Sequence, residues 1–77
     1  MKLVEFLIME NLPLNGDHLE IDNLRNSVMS DFFSIKKRAK SNIFELALEK
    51  LSNDQFIFIN KGKKTVAATQ FGINKSN

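Results

Sequence analysis

The chain has 77 residues, 43% of them hydrophobic and 26% charged, and it has no cysteine. That length suits one small domain that buries about 60% of the surface its unfolded chain exposes, and the missing cysteines exclude disulfide staples and a thiolate zinc site. The net charge of +2 hides an asymmetry: residues 1–33 hold two basic against six acidic residues, a net −4, and residues 34–77 hold nine against three, a net +6.

Such a split directs the second half toward a polyanionic partner, unless it is an unevenly solvated surface. Lysine outnumbers arginine nine to two and asparagine occurs nine times, a bias that fits the AT-rich codons of low-GC bacteria, their phages and plasmids. Without cysteines the expected compartment is reducing and cytoplasmic.

Residues 3–10 are apolar nearly all round, and so short a run fits either a helix or a strand by periodicity. Leucine, methionine and glutamate favour a helix over 1–11, closed by Pro13 because the residue before a proline avoids helical angles. Glu5 interrupts the run and no small-residue cleavage site follows Glu10, so neither a signal peptide nor a membrane span is expected. A helix apolar on several faces has more than a monomer core needs, which makes it the candidate dimerisation element.

Asn15-Gly16 marks a turn. Asp17 with Glu20 has capping-box spacing, and Ile21, Leu24, Val28 and Phe32 form one apolar stripe, predicting a helix over 18–29 with a break at Ser30-Asp31. The next segment reads two ways. Ile35, Ala39, Ile43 and Ala47 or Leu46 hold helical spacing for one helix over 34–51. Alternatively Ser41-Asn42 divides it into a short basic helix at 34–40 and a helix at 42–52, with Asn42 as N-cap and Glu45 completing a second capping box. Phe44, Ala47, Leu48 and Leu51 are the core stripe in either case.

After Asn53 the period becomes two. Gln55 to Asn60 is rich in strand formers, Lys61-Gly62-Lys63-Lys64 is a polar turn, and Thr65 to Phe71 returns as a strand. The two runs predict a β-hairpin over 55–72. All seven phenylalanines are expected in the core, since neither tyrosine nor tryptophan is present to supply bulk; exposure of Phe56 and Phe58 would instead suit stacking on single-stranded bases.

Nothing in the chain reads as an enzyme. No serine or threonine has a plausible base partner and no glycine-rich phosphate loop occurs. His18, beside Asp17 and near Glu20, lacks the convergent ligands of a metal site. No cofactor is expected.

Asn42 to Leu51, with Leu48 and Leu51 as a leucine-x-x-leucine step, then Phe56-Ile57-Phe58-Ile59, then a return strand ending in the threonine-x-x-glycine phrase Thr69 to Gly72, resemble the C-terminal half of winged helix-turn-helix DNA-binding domains over residues 34–73. The resemblance implies a mainly α fold with a small β-hairpin: three helices plus a two-stranded wing, in one domain whose helical DNA-binding core spans 18–52. The cationic stretch Ile35 to Lys40 departs from the family's apolar helix and favours one helix over 34–51.

Double-stranded DNA is the partner this implies, for a small transcriptional regulator. Its candidate contacts are Lys36, Lys37, Arg38 and Lys40 on the basic segment, Ser41 and Asn42 as phosphate or base-edge donors, and Lys61, Lys63 and Lys64 at the wing tip. The resemblance implies that the two basic clusters meet on one side of the molecule. Each has a simpler role: a solvated helix face, N-cap residues, and tip lysines that block edge-to-edge sheet pairing. Glu45 and Glu49 oppose insertion of their helix between phosphates. The alternative is a protein-interaction module on the same fold, an inhibitor or a replication or transcription accessory factor, binding through its acidic N-terminal half.

Overall fold

The computed structural model describes residues 1–76. Helix α1 spans Leu3–Asn11 and buries Val4, Leu7, Ile8 and Met9, so most of its apolar surface is spent inside one chain. Leu12, ahead of Pro13, is extended at φ −84° and ψ 140°, as the proline ring requires. Asn11 fastens the end, its Nδ2 donating to the Leu7 carbonyl (2.8 Å) and to Asp31 (3.1 Å). The chain reverses at Gly16, whose φ of +81° a residue with a Cβ adopts at a cost.

A third strand that periodicity did not reveal follows: β1, Leu19–Glu20. Two residues are too few to show a pattern, and only pairing with the distant Val66 and Thr65 makes them a strand. The capping box expected at Asp17 is not used. The Asp17 amide donates to Asn15 Oδ1 (3.0 Å), and α2 opens later, at Ile21, with Glu20 before it.

Helix α2 covers Ile21–Ile35 and buries Leu24, Val28 and Phe32, the expected stripe. The break expected at Ser30-Asp31 is absent. Both residues lie on the exposed side, where polar side chains cost a helix little, and the buried Phe32 beyond them holds the last turn to the core. The helix ends at Lys36, extended at φ −119° and ψ 143°.

Of the two readings of 34–51, the single helix is not observed and the divided one holds in its second part: the break falls at Ser41-Asn42, with Asn42 at the N-cap position, but the short basic helix at 34–40 does not form. Residues 36–42 are non-helical, and α3 runs from Ile43 to Asn53. Four cations within five residues repel one another and carry no apolar stripe; Ala39 alone is half buried and packs on the core. Helix α3 buries Phe44, Ala47, Leu48 and Leu51, as its spacing predicts. It ends in paired bonds, from the Gln55 amide to the Ser52 carbonyl (3.0 Å) and from the Phe56 amide to the Leu51 carbonyl (2.9 Å). This is the Schellman arrangement, with Gln55 at φ +67° in the place usually held by glycine.

Strands β2 (Ile57–Asn60) and β3 (Thr65–Ala68) form the hairpin, in an antiparallel sheet of order β1-β3-β2. The return strand is shorter than expected, because Thr69 turns the chain into a fourth helix, α4, Gln70–Ser76. The Thr69 hydroxyl donates to the Gln55 carbonyl (2.6 Å) and accepts from the Gly72 amide (2.9 Å). The threonine-x-x-glycine phrase is therefore a helix cap and not the end of a strand.

The fold is thus mainly helical with a small three-stranded antiparallel sheet. Its centre is Ile8, Leu24, Val28, Phe44, Leu51 and Val66, all essentially without solvent contact. The expectation of seven core phenylalanines fails. Phe32 and Phe44 are buried and Phe56 is half buried, whereas Phe6, Phe33, Phe58 and Phe71 are exposed. Phe33 lies about 100° round the helix from Phe32, and Phe58 points away from the face that buries Ile57. No helix among the described residues is long and apolar enough to cross a membrane.

Candidate nucleic-acid interface

Lys36, Lys37, Arg38, Lys40, Ser41 and Asn42 are all exposed and lie on the loop between α2 and α3, not on a helix. Asn42 directly precedes α3, but its side chain makes no cap bond; its carbonyl accepts from the Leu46 amide at 3.0 Å. Among the described residues the amides of 37–42 have no hydrogen-bond partner, and the loop is held by Ala39 and by the Ile43 amide donating to the Lys40 carbonyl (3.2 Å).

Lys61, Lys63 and Lys64 are exposed at the hairpin tip. This tip is more ordered by bonds. The Lys63 amide donates to Asn60 Oδ1 (3.0 Å), Lys64 takes the positive φ of +55° that the glycine of this turn does not, and its carbonyl accepts from the Ile21 amide (3.0 Å). That last bond latches the tip to the start of α2. The basic loop leaves from the other end of the same helix, and fifteen residues at about 1.5 Å each separate the two ends by about 22 Å. The two clusters therefore start from opposite ends of α2.

None of these seven cations is ion-paired among the described residues. The salt bridges there belong to Arg25, with Asp22 (2.6 Å) and Glu45 (2.9 Å), and to Lys50, with Asp54 (3.1 Å). Partial burial pulls the Arg25 pKa down, but the bonds and charges of Glu45 and Asp22 outweigh it and leave the value raised. Stability from that group is present below its unfolded pKa and lost only as pH rises through the folded one, so it is constant across the neutral range. The guanidinium also lies 5.2 Å from the Phe44 ring centre. Between them these pairs cancel much of the charge on the outer side of α3, where Glu49 remains exposed and without an ion-pair partner among the described residues.

His18 packs edge-on against Phe58, centroids 6.4 Å apart, and its Nδ1 is 3.4 Å from Thr65 Oγ1. No group of three or more potential ligands among the described residues is placed to hold a metal. Sequence reasoning missed a groove of about 490 Å³ between the start of α1, the basic loop and α3, lined among others by Lys2, Glu5, Arg38, Lys40 and Lys50. Its one signal was Glu5 interrupting an apolar run.

No protein-family model, curated protein or solved structure matches the chain.

Proposed function

We propose that the chain is a winged-helix DNA-binding protein acting as a small transcriptional regulator. The element order α-β-α-α-β-β-α with a β1-β3-β2 sheet supports the winged-helix reading in its first six elements, with α3 as the third helix, residues 61–64 as the wing tip and α4 as an addition. The observation that carries the function is the seven exposed cations without ion pairs among the described residues, on a loop and a hairpin tip. An unpaired surface cation gains by meeting phosphate and releasing condensed counterions.

The clusters start from opposite ends of α2, about 22 Å apart along its axis, more than the roughly 12 Å width of the major groove, and on this reading each holds a different stretch of backbone. Glu49, exposed and without an ion pair among the described residues, keeps α3 from lying deep between phosphates. Backbone contacts therefore dominate over base contacts, which suits an architectural or weakly sequence-selective binder. Dimerisation through α1 is part of the same proposal, narrowed to Met1 and Phe6, which remain exposed.

Fluorescence anisotropy with a duplex oligonucleotide over a salt series tests this. Neutralising Lys61, Lys63 and Lys64 together, or Lys36, Lys37 and Arg38 together, should each flatten the log K against log salt slope by up to about 2.7, at 0.9 per phosphate contact. Unchanged slopes in both variants would refute the assignment.

The exposed row Glu45, Leu46 and Glu49, with Leu46 half open to solvent, favours the second reading, a protein-interaction module. Duplex affinity no greater than that of a basic control protein of equal size would select it.

A further inference from the structure

We propose that the groove between α1, the basic loop and α3 binds a free guanine nucleotide. Glu5 carries the argument. It is 92% buried by exposure (8% exposed), sits in the first turn of α1, and has no hydrogen-bond or ion-pair partner among the described residues. No buried side-chain oxygen there is both sealed from solvent and unpartnered, so its carboxylate oxygens keep some accessible surface, and Glu5 is among the residues that line the groove.

Three features of the groove call for three parts of one ligand. Its walls, among them Leu3, Phe32, Ile43 and Ala47, are apolar and suit a flat ring. Lys2, Arg38, Lys40 and Lys50 also line it and suit a group with several negative charges. Among the described residues Lys50 alone of these four has an ion pair, an exposed one with Asp54, which is weak enough to exchange. The buried carboxylate needs donors, since it is an acceptor only.

Guanine offers N1–H and N2–H₂ side by side, matching both oxygens of a carboxylate. Adenine and cytosine place an acceptor nitrogen beside their amino group, which the carboxylate repels. A volume of about 490 Å³ lies within the roughly 300–1,000 Å³ of small-molecule sites. Binding to the groove does not depend on the DNA reading. A consequence does: Arg38 and Lys40 belong to the groove and to the proposed backbone contact, so nucleotide and duplex compete, each lowering the other's affinity by the same factor.

The test is calorimetric titration of the full chain with GTP, ATP and inorganic triphosphate, alongside amide chemical-shift mapping of the unmodified protein. GTP should bind about tenfold or more tighter than ATP, the value of one bidentate pair, with shifts at Leu3 to Phe6, Ala39 and Ile43 to Ala47. Glu5→Gln should reverse the preference toward ATP, because a carboxamide pairs bidentately with adenine. Equal binding of all three ligands, absent binding, or shifts confined to the wing would overturn the site, and the mapping does so even if the variant fails to fold. Nucleotide bound in the groove without loss of duplex affinity would leave the site and remove the competition, whereas failure of the DNA reading would show as unchanged salt slopes without nucleotide.

Discussion

A Cβ built at Gly72 would fall 2.1 Å from the Phe56 carbonyl oxygen, so the start of α4 lies against the backbone leading into β2. Backbone cannot move aside as a flexible side chain can, and Gly72→Ala should cost about 1–3 kcal/mol, as other overpacking changes do. Urea denaturation would read this as a lower midpoint at unchanged slope. Gln55 presents the opposite case. It bears the left-handed φ of +67° at the end of α3 while the cap bonds around it come from backbone groups. Gln55→Gly relieves that strain, offset in part by the extra freedom glycine brings to the unfolded chain. A net gain of about 0.5–1 kcal/mol, or roughly 2–8 °C in Tm, is expected from calorimetry; a fall in Tm would mean the Gln55 side chain contributes more than its bonds suggest.

Among the elements, the loop at 36–42 and the wing are both exposed and basic but are held differently. The loop amides of 37–42 lack partners among the described residues, whereas Lys63 and Lys64 are bonded to Asn60 and Ile21. Hydrogen exchange should therefore be fast at 37–42 and slower at Lys63. On the proposed DNA reading, adding duplex should slow the loop amides; exchange unaltered by saturating duplex would count against the loop as a contact. Lys64→Gly separates fold from binding at one position. Removing the positive-φ lysine should raise stability by a few tenths of a kcal/mol to about 1 kcal/mol, while the salt slope falls by about 0.9. A variant that is less stable would show that the Lys64 side chain, and not only its carbonyl, holds the latch.

For the whole molecule, one buried cluster joins α1, α2, α3 and the sheet, so truncation at its centre should be felt everywhere. Phe44 is 2% exposed, and Phe44→Ala should cost about 3–5 kcal/mol, a large share of what a domain of this size has. Loss of cooperative thermal unfolding is the expected result, and a shift of only a few degrees would mean that the core closes around the missing ring. The basic groups lie outside this cluster, so the triple neutralisation at Lys36, Lys37 and Arg38 should leave Tm nearly unchanged, which makes its binding data interpretable.

Much of the fold was legible in the residues because it depends on short-range periodicity. The stripe Leu24, Val28, Phe32, the stripe Phe44, Ala47, Leu48, Leu51 and the alternation of 57–60 each state which side faces inward. What periodicity carries no information about is which segment is solvated and which is covered. Thus the basic run 36–40 kept helical spacing yet formed a loop, because its charges gain more from water than a helix without an apolar stripe could return. Phe33 and Phe58 counted as apolar bulk yet point outward, because their neighbours Phe32 and Ile57 already face the core. Only the tertiary structure could decide three things: that Leu19-Glu20 is a strand, that Lys64 is latched to the start of α2, and that Glu5 sits over a groove with Arg38 and Lys40. Each joins residues more than thirty positions apart, and such contacts arise from chain closure, which no local pattern encodes.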